Sequence, residues 1–350
     1  MMREGWEYKK LNEVCDKGSS NIVINKLIDN NGDYPLYGAS GLIKDIDFYH
    51  QDKRYIGIVK DGAGVGRVNI YPAFSSLVGT MQYIFPKEGY SLDFIKYFLI
   101  KLDLSHCVSG ATIPHIYFKD YGKELIPTPS LDTQLAIVSE LDKINELIRL
   151  KKEQLKDLDK LAQSIFYEMF GDPVENEKGW EVKKLGEVCD IFAGGDKPND
   201  IKTTQDNEYI YPVIANGEGE KGILGYTKKC RVIKNAVTIG ARGASIGNCR
   251  IVKDGFTPAI RLLTLIPSEK LDCPFLFYIV KGLDYKQNGA GQAQLTVPNI
   301  KNESIPLPPL PLQHLFAQRI EQIEHQKSEV QKAITDLETL LASRMQYWFE

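Results

Sequence analysis

The sequence has little of what marks several classes of protein. Its 350 residues contain six cysteines, none in a Cys-x-x-Cys pair, so no disulfide scaffold is indicated and we expect a reduced, cytoplasmic protein. No apolar run approaches the ~20 residues that cross a bilayer, and the polar start predicts no secretory leader. A net charge of −3 gives no strong electrostatic sign of nucleic-acid binding. What remains is a globular chain whose length predicts two domains.

Motifs for catalysis and cofactor binding are also missing. The glycine-rich segments Gly62–Gly66 and Gly240–Gly247 match neither the P-loop nor the dinucleotide fingerprint. Segment 192–196 is close to an S-adenosylmethionine-binding signature but lacks its final glycine, and no amino-methylase Asp/Asn-Pro-Pro-Tyr/Phe motif occurs. The five histidines lack zinc-ligand spacing, and the adjacent pair His106 and Cys107 has no orienting partner in the sequence. We therefore predict no catalytic residues, no metal site and no cofactor.

The chain contains one long internal repeat. The segment Trp6–Asp16 returns as Trp180–Asp190 with only two substitutions, and the glycine turn Gly62–Gly66 returns as Gly243–Gly247. A repeat of about 175 residues is too long for a solenoid unit, so it indicates two whole domains. We predict that these domains span residues 1–130 and 172–312. Cys15 and Cys189, at equivalent positions of the repeat, are expected in the domain cores.

Each domain is followed by a segment with the apolar spacing of a coiled coil. In segments 131–171 and 313–350, residues at alternating steps of four and three are almost all apolar. A stripe of this kind can belong to a helix lying on its own domain's core or to two helices that pair with each other. The narrow seam and the charged remaining faces favour an antiparallel pair, in which the seam residues Lys151 and Lys327 help to fix register. The expected interface residues are Leu141, Ile144, Ile148, Leu155, Leu158, Ile320, Ile323, Ile334, Leu337 and Leu341.

Shorter patterns define the fold class. Runs bounded by Gly, Pro, Asn or Asp predict strands, and capped apolar runs predict helices. The predicted strands are Tyr55–Val59, Thr80–Phe85, Ala236–Gly240 and Ile260–Ile266, and the predicted helices are Ser91–Ile100 and Cys273–Val280. The predicted fold class is α+β, with two similar domains of mixed or antiparallel sheet and helices. Two long helices in an antiparallel coiled coil separate these domains with pseudo-two-fold symmetry.

Proline-rich segments precede both long helices. One contains Pro127 and Pro129, and the other contains Pro306, Pro308, Pro309 and Pro311. Because proline removes a backbone donor and fixes φ, these segments predict a hinge between each domain and its helix.

Polar loops and glycine turns supply candidate contacts to a partner. Loops 109–117 and 287–296 are dense in amides and hydroxyls, and asparagine or glutamine can pair with adenine edges while arginine or lysine pairs with guanine. The alternative for each of these residues is an ordinary solvated side chain. The candidate DNA-binding residues are Lys60, Arg67, Thr112, His115, Tyr117, Lys197, Asn216, Arg242, Ser245, Gln292, Gln294 and Asn299.

These motifs together resemble a known family. The repeated opening Trp-Glu-x-Lys-Lys-Leu-x-Glu-Val-Cys-Asp, the mid-domain glycine turn, and the run 292–300 that leads into Ile305–Leu310 and then Gln313 before a long helix resemble the specificity (S) subunit of type I restriction–modification enzymes. The resemblance covers essentially the whole chain. Two departures from the family pattern are Gln313-His314, where members commonly have Glu-Gln, and a start directly at the first opening motif, without the extra N-terminal helical segment of some members.

The resemblance implies a non-catalytic reader of double-stranded DNA. In that family each repeated domain reads one half of a bipartite sequence, and the helix pair docks two methyltransferase (M) subunits. Restriction (R) subunits join the complex, and the M subunits methylate a flipped adenine. Two alternatives stay open from the residues alone. One is a self-contained methylase or nuclease, and the other is a two-headed structural or regulatory DNA-binding protein without a methyltransferase partner.

Overall fold

The chain folds as two compact units. A computed structural model describes residues 6–110, 112–217, 222–283 and 294–350. The first unit comprises Met1–Lys152 and Lys332–Glu350, and the second comprises Glu153–Gln331. Each unit therefore contains one α+β domain and a part of each long helix.

The first unit is built on two main sheets. A four-stranded antiparallel sheet has the order β2-β8-β5-β6, a three-stranded sheet has the order β4-β3-β7, and β1 pairs with β9. The strands are β1 Tyr8–Lys10, β2 Cys15–Ser19, β3 Tyr34–Gly38, β4 Gly41–Ile46, β5 Tyr55–Val59, β6 Val68–Tyr71, β7 Ser76–Leu77, β8 Met81–Pro86 and β9 Leu125–Pro127. The helices are α1 Leu11–Val14, α2 Leu92–Leu102, α3 Phe118–Tyr121 and α4 Leu131–Phe170, whose residues up to Lys152 belong here, with 3₁₀ turns at Ile24–Lys26 and Leu104–Cys107.

The second unit repeats this arrangement. Its sheets have the orders β11-β17-β14-β15, β13-β12-β16 and β10-β18. The strands are β10 Glu181–Lys184, β11 Cys189–Ala193, β12 Tyr211–Ile214, β13 Ile223–Thr227, β14 Ala236–Ile239, β15 Cys249–Val252, β16 Thr257–Pro258, β17 Leu263–Pro267 and β18 Ser304–Leu307. The helices are α5 Leu185–Val188, α6 Cys273–Gly282, α7 Val297–Asn302 and α8 Leu310–Phe349, of which the residues from Lys332 belong to the first unit, with a 3₁₀ turn at Gly243–Ser245. The prediction of two similar α+β domains is confirmed.

Most short elements form where the sequence predicts them. The strand Tyr55–Val59 is confirmed residue for residue, and Ser91 caps α2 by accepting a hydrogen bond from the Phe94 amide at 3.4 Å. The predicted strand Ile260–Ile266 is wrong at its start. Ile260 and Arg261 have φ of 49° and 59°, outside the extended region, so the strand begins only at Leu263.

The two long helices pair in antiparallel orientation within each unit. In the first unit Arg344 Nη2 lies 3.1 Å from Glu140 Oε2, and Lys152 Nζ lies 2.7 Å from Glu338 Oε1. Between these two contacts the residue number rises along α4 and falls along α8, so the helices run in opposite directions. In the second unit Lys327 Nζ lies 2.9 Å from Asp159 Oδ1. The ring of Phe316 lies 5.3 Å from that of Phe170, which gives the same direction there.

The predicted seam is the face that the helices bury. The first long helix begins at Leu131, where segment 131–171 begins, and the second begins at Leu310, three residues before the start of segment 313–350. The fully or largely buried seam residues are Leu141, Ile144, Ile148, Leu158, Ile320, Ile323 and Ile334, while Leu155, Leu337 and Leu341 are half-buried. The seam lysine Lys327 bridges Asp159 on the other helix and Glu324 on its own, in keeping with a role in register.

Both interpretations of the helical stripes are partly correct. In the first unit Ile137, Val138 and Leu141 of α4 share one core with Phe94 of α2 and Phe349 of α8. The start of α4 and the end of α8 therefore complete the core of the domain, while the seam between them continues beyond it. The apolar spacing predicts the helix pair and does not reveal that its ends pack into the domain.

The predicted proline hinges are wrong. Pro127 lies in β9 opposite Tyr8, and Pro306 lies in β18 opposite Val182. A two-stranded sheet consists of edge strands, where a proline need not donate to a ladder. Pro311 lies in the first turn of α8, where its missing N–H has no helical acceptor in any case. These segments tie each helix to its domain.

Two buried glutamines strengthen this connection. Gln134 Oε1 accepts from the Ser91 amide at 2.9 Å, and its Nε2 donates to the Pro129 carbonyl at 2.9 Å. Gln313 does the same in the second unit, accepting from the Asp272 amide at 2.8 Å and donating to the Pro308 carbonyl at 2.8 Å. Each glutamine therefore fixes the first turn of a long helix against the start of α2 or α6. Among the described residues no helix is long and apolar enough to cross a membrane.

Candidate nucleic-acid interface

The first unit exposes a glycine turn at the end of its central strand. The chain leaves β5 at Val59, and the Gly66 amide returns to donate to the Val59 carbonyl at 2.8 Å. Gly62, Gly64 and Gly66 all have a positive φ, between 85° and 91°, which residues other than glycine rarely adopt. The turn therefore depends on its glycines and lets a partner approach the backbone closely.

A second loop is bonded to this turn. The Ile116 amide donates to the Lys60 carbonyl at 2.9 Å, and the Gly62 amide donates to the Pro114 carbonyl at 2.9 Å. As a result Asp61 and His115 form a bridge between the two segments. The structure thus brings together the predicted residues Lys60 and His115, which lie far apart in the sequence.

Charged and aromatic side chains cover this part of the first unit. Lys60 Nζ lies 3.6 Å from Asp61 Oδ2. The rings of His115 and Tyr117 meet edge to face at 5.0 Å, and Lys119 Nζ lies 5.1 Å from the centre of the Tyr117 ring. This grouping combines cations with an exposed aromatic ring, which are residue types that bind phosphates and stack on bases.

Two other predicted residues of the first unit are exposed. The Arg67 guanidinium passes over Gly64 and donates to the Ala39 carbonyl at 2.8 Å, so the turn is also attached to the β3–β4 hairpin. Thr112 is exposed on the loop that carries His115.

The second unit contains an equivalent turn after β14. The Gly247 amide donates to the Gly240 carbonyl at 3.0 Å, and Gly243 has a φ of 60°. The Leu295 amide donates to the Ala241 carbonyl at 3.0 Å, and Arg242 bridges to Gln294. Both Arg242 and Gln294 are exposed. Two predicted residues that are 52 positions apart are thus neighbours on one surface.

The remaining predicted residues of the second unit are less exposed than Arg242 and Gln294 or lie outside this turn. The Asn216 amide donates to the Ile260 carbonyl at 2.9 Å and accepts from the Ala241 amide at 2.9 Å, so it connects two loops. Asn299 accepts a hydrogen bond from the Thr296 hydroxyl that caps α7. Ser245 is half-buried in the turn and Lys197 is exposed after β11. Gln292 lies outside the described residues.

A small cavity adjoins the turn of the second unit. It has a volume of about 240 Å³, and Gly240, Gly247, Arg250 and Lys281 are among the residues that line it. Arg250 Nη2 donates to the Gly217 carbonyl at 2.9 Å, and burial lowers the pKa of its guanidinium. Two cationic side chains therefore lie beside the turn.

His106 has an orienting partner that the sequence did not reveal. Its Nε2 lies 3.2 Å from Glu124 Oε1 and its Nδ1 lies 2.8 Å from the Asp103 carbonyl. The bond to that carbonyl, and then the bond to Glu124, raise the pKa of His106. Burial is the main cause that raises the pKa of Cys107, which keeps it as a thiol and a weak nucleophile. The ligand atoms of the three side chains lie within 4.8 Å of one another, and the arrangement is a hydrogen-bonded His106–Glu124 pair beside a half-buried thiol.

The fold and the paired turns define a class of protein. Each of the two units has an α+β domain with a glycine turn and a packed pair of long-helix segments, which defines a duplicated recognition protein. A family model for the type I restriction modification DNA specificity domain matches residues 3–160 and 177–339. The chain belongs to this family, whose members recognise a DNA sequence for a restriction–modification complex.

Individual relatives agree with this assignment. A Mycoplasma pneumoniae protein named as a type I specificity subunit is 26% identical over 351 residues, which cover 97% of this chain and 95% of that protein. The specificity subunit of the type I restriction enzyme MjaIX from Methanocaldococcus jannaschii is 26% identical over 73% of this chain and 68% of its own. The crystal structure of the S subunit of a type I restriction–modification system from M. genitalium has the same fold, with a TM-score of 0.64 and 16% identity, covering 100% of this chain and 98% of that one.

Proposed function

We propose that the chain is the specificity subunit of a type I restriction–modification complex and reads a bipartite double-stranded DNA sequence. One half would be read by the domain at 1–130 and the other by the domain at 172–312. The observation that carries this proposal is the pair of exposed turns. The Asp61–His115 bridge and the Arg242–Gln294 bridge have the same backbone bonding and different side chains. Such a pair is expected of two heads that bind one polymer at two different sequences.

The chemistry of the turns suits DNA. Glycines let the backbone approach phosphates, and Lys60, Arg67 and Arg242 supply the charge that positions a protein on the duplex. Side chains such as Gln294 can pair with base edges. These assignments extend to the other proposed contacts at Thr112, His115, Tyr117, Lys197, Asn216, Ser245, Gln292 and Asn299.

The helices suit a docking role. On the first unit α4 has an open apolar groove lined by Leu135, Val138 and Leu147 together with charged residues, and Leu135 and Leu147 are about half exposed, at 50% and 47%. An apolar groove rimmed by charged side chains is the kind of surface that a partner protein covers. We propose that two methyltransferase subunits dock on the helix pair and that restriction subunits join them in the cytoplasm. Adenine methylation and DNA cleavage would then belong to those subunits.

Methylation mapping tests this function. The chain is co-expressed with the methyltransferase subunit of its system in a host that lacks adenine methylation, and modified adenines are mapped genome-wide. We expect one bipartite motif with a fixed spacer, and no motif when the chain is left out. Methylation at the same sites without the chain, or at no defined sequence with it, would overturn the proposal.

The purified chain provides the second control. Incubated alone with S-adenosylmethionine and duplex DNA, it should neither transfer a methyl group nor cut DNA, because the chemistry is assigned to partners. Turnover by the chain alone would favour a self-contained enzyme. Sequence-specific binding together with failure to assemble with a methyltransferase would favour a regulatory DNA-binding protein.

A further inference from the structure

The two turns can be compared position by position. The Ile116 amide bonds to the Lys60 carbonyl in the first unit, and the Leu295 amide bonds to the Ala241 carbonyl in the second. The bridges that follow are Asp61 with His115 and Arg242 with Gln294. Asp61 is therefore the counterpart of Arg242, and His115 is the counterpart of Gln294. The backbone bridge is shared, and the side chains of Asp61 and Arg242 at its first position carry opposite charge.

The second unit presents hydrogen-bond donors at this place. The Arg242 guanidinium has donors only, arranged in a fork that fits the O6 and N7 acceptors of guanine. Gln294 beside it has one amide donor group and one acceptor. Both side chains are exposed, so neither is used by the core of the domain.

The first unit presents acceptors at the same place. The Asp61 carboxylate only accepts, and its side chain is 37% exposed. His115 Nδ1 lies 3.2 Å from the Ile113 carbonyl, which can only accept, and the tautomer with its proton on Nδ1 makes this hydrogen bond and leaves Nε2 as an acceptor. Lys60 Nζ, 3.6 Å from Asp61, offsets the repulsion between this carboxylate and DNA phosphates.

We infer that this pair of positions sets opposite base preferences in the two half-sites. Arg242 with Gln294 selects a guanine in the half-site of the second unit. Asp61 with His115 selects a base that offers an amino group, cytosine N4 or adenine N6, in the half-site of the first unit. The inference deepens the proposed function and rests on it. It also assigns a specificity role to Asp61, an acidic residue that a search for cationic DNA contacts passes over.

Charge reversal in the assembled complex tests the inference. The variants Asp61→Arg and Arg242→Asp are each assembled with the methyltransferase subunits, and bound sequences are selected from duplexes randomised in both half-sites. Asp61→Arg should change the preferred base at one position of one half-site toward guanine. Arg242→Asp should remove a guanine preference in the other half-site. A bidentate contact is worth about 5- to 150-fold in discrimination at that position.

Matched controls separate base reading from net charge. Asp52→Arg and Lys234→Asp make the same charge changes in exposed loops at the opposite ends of β5 and β14. These controls should change overall affinity and its salt dependence but not the selected sequence. Arg242→Lys keeps the charge and loses the fork, so it should retain most of the affinity and weaken the guanine preference.

The outcomes distinguish this inference from the proposed function. If the unmodified complex selects no bipartite sequence, the proposed function itself fails. If it selects one, and both reversals leave every base preference unchanged, only the inference is overturned. A change of preference in both half-sites from one reversal would also overturn it, because each position is assigned to a single unit.

Discussion

In the first unit the turn after the central strand carries Lys60 and Asp61, whereas in the second unit the equivalent turn carries Ala241 and Arg242. The bond that closes each turn and the bond from the second loop are the same, whereas the Lys60 amide donates to the Thr80 carbonyl and the Ala241 amide to the Asn216 side chain. The side chains at the paired positions differ in charge and in hydrogen-bonding capacity. The glycines and the bonded loops therefore act as a scaffold, and the side chains carried on it differ between the two units. A recognition protein with two heads needs this separation, since each head must keep its fold while reading a different sequence.

The junctions between the long helices and their domains also differ between the two units. The second unit has an aromatic cluster at this junction, in which the ring of Phe316 lies 5.2 to 5.7 Å from those of Tyr278, Phe170 and Phe166. At the same place the first unit has Ile137, packed in a core with Phe94 and Phe349. The two junctions thus reach full burial with different side chains, which is possible because cores tolerate substitutions that conserve volume overall.

The largest loss of stability is expected from a change in the aromatic cluster of the second unit. Phe316→Ala removes a fully buried ring and leaves a cavity, and should lower the free energy of unfolding by about 3–5 kcal/mol. The conservative change Ile137→Val in the first unit should cost about 0.5–1.5 kcal/mol. Urea denaturation followed by tryptophan fluorescence and circular dichroism measures both. The half-exposed neighbour Leu315 gives the control Leu315→Ala, and a Phe316→Ala effect no larger than this control would contradict the packing described.

The two buried glutamines provide the next largest effect. Gln134→Ala and Gln313→Ala each leave a partly buried backbone amide without its acceptor, at Ser91 and Asp272 respectively. We expect each to lower the free energy of unfolding by about 2–3 kcal/mol, and by similar amounts, because the two sets of bonds match. The control Gln318→Ala, at an exposed residue of α8, should change the free energy of unfolding by less than about 0.5 kcal/mol. A large loss in one unit and none in the other would show that the junctions are not equivalent.

The smallest effect concerns the ion pair between the helices of the first unit. Glu140 accepts from Arg344 and from Trp348 Nε1 at 3.1 Å, and the bond from Arg344 is the main cause that lowers the pKa of Glu140. Because both side chains are about one-third exposed, Arg344→Ala should cost less than about 1 kcal/mol at pH 7. A carboxylate whose pKa is lower in the folded protein stabilises the fold at pH values above its unfolded pKa. The cost of Arg344→Ala should therefore shrink as the pH falls below about 4.3, the pKa of an unfolded glutamate, and through the folded pKa of Glu140. A cost that grows on acidification would contradict this assignment.

Periodicity and repetition carried most of the fold prediction. The heptad spacing of Leu141, Ile144 and Ile148 predicted the buried face of α4, because a narrow apolar stripe on a helix must be covered. The repeat predicted that Cys15 and Cys189 would both be core residues, and both are buried. A serine also precedes the start of α4, and its hydroxyl caps the helix. Ser130 Oγ accepts a hydrogen bond from the Thr133 amide at 3.3 Å.

What the sequence did not reveal depends on pairing between distant segments. The proline segments looked like hinges because proline breaks helices and central strands, and only their pairing with β1 and β10 makes them edge strands. The position of Glu124 beside His106 and of Asp61 beside His115 follows from tertiary hydrogen bonds between loops. No local pattern encodes such bonds. Asn216 was predicted to contact DNA from its residue type alone, and its amide is engaged by two backbone groups of its own domain.

The central claim is that each unit reads its own half of the DNA target, and a thermodynamic cycle tests it most directly. The affinities of the unmodified complex and of the double variant Gln292→Ala with Gln294→Ala are measured at fixed salt concentration, for the full target and for targets altered in either half. We predict that the variant loses about 1–3 kcal/mol, and that this loss couples only to changes in the half-site of the second unit. Equal coupling to both half-sites would contradict separate reading heads.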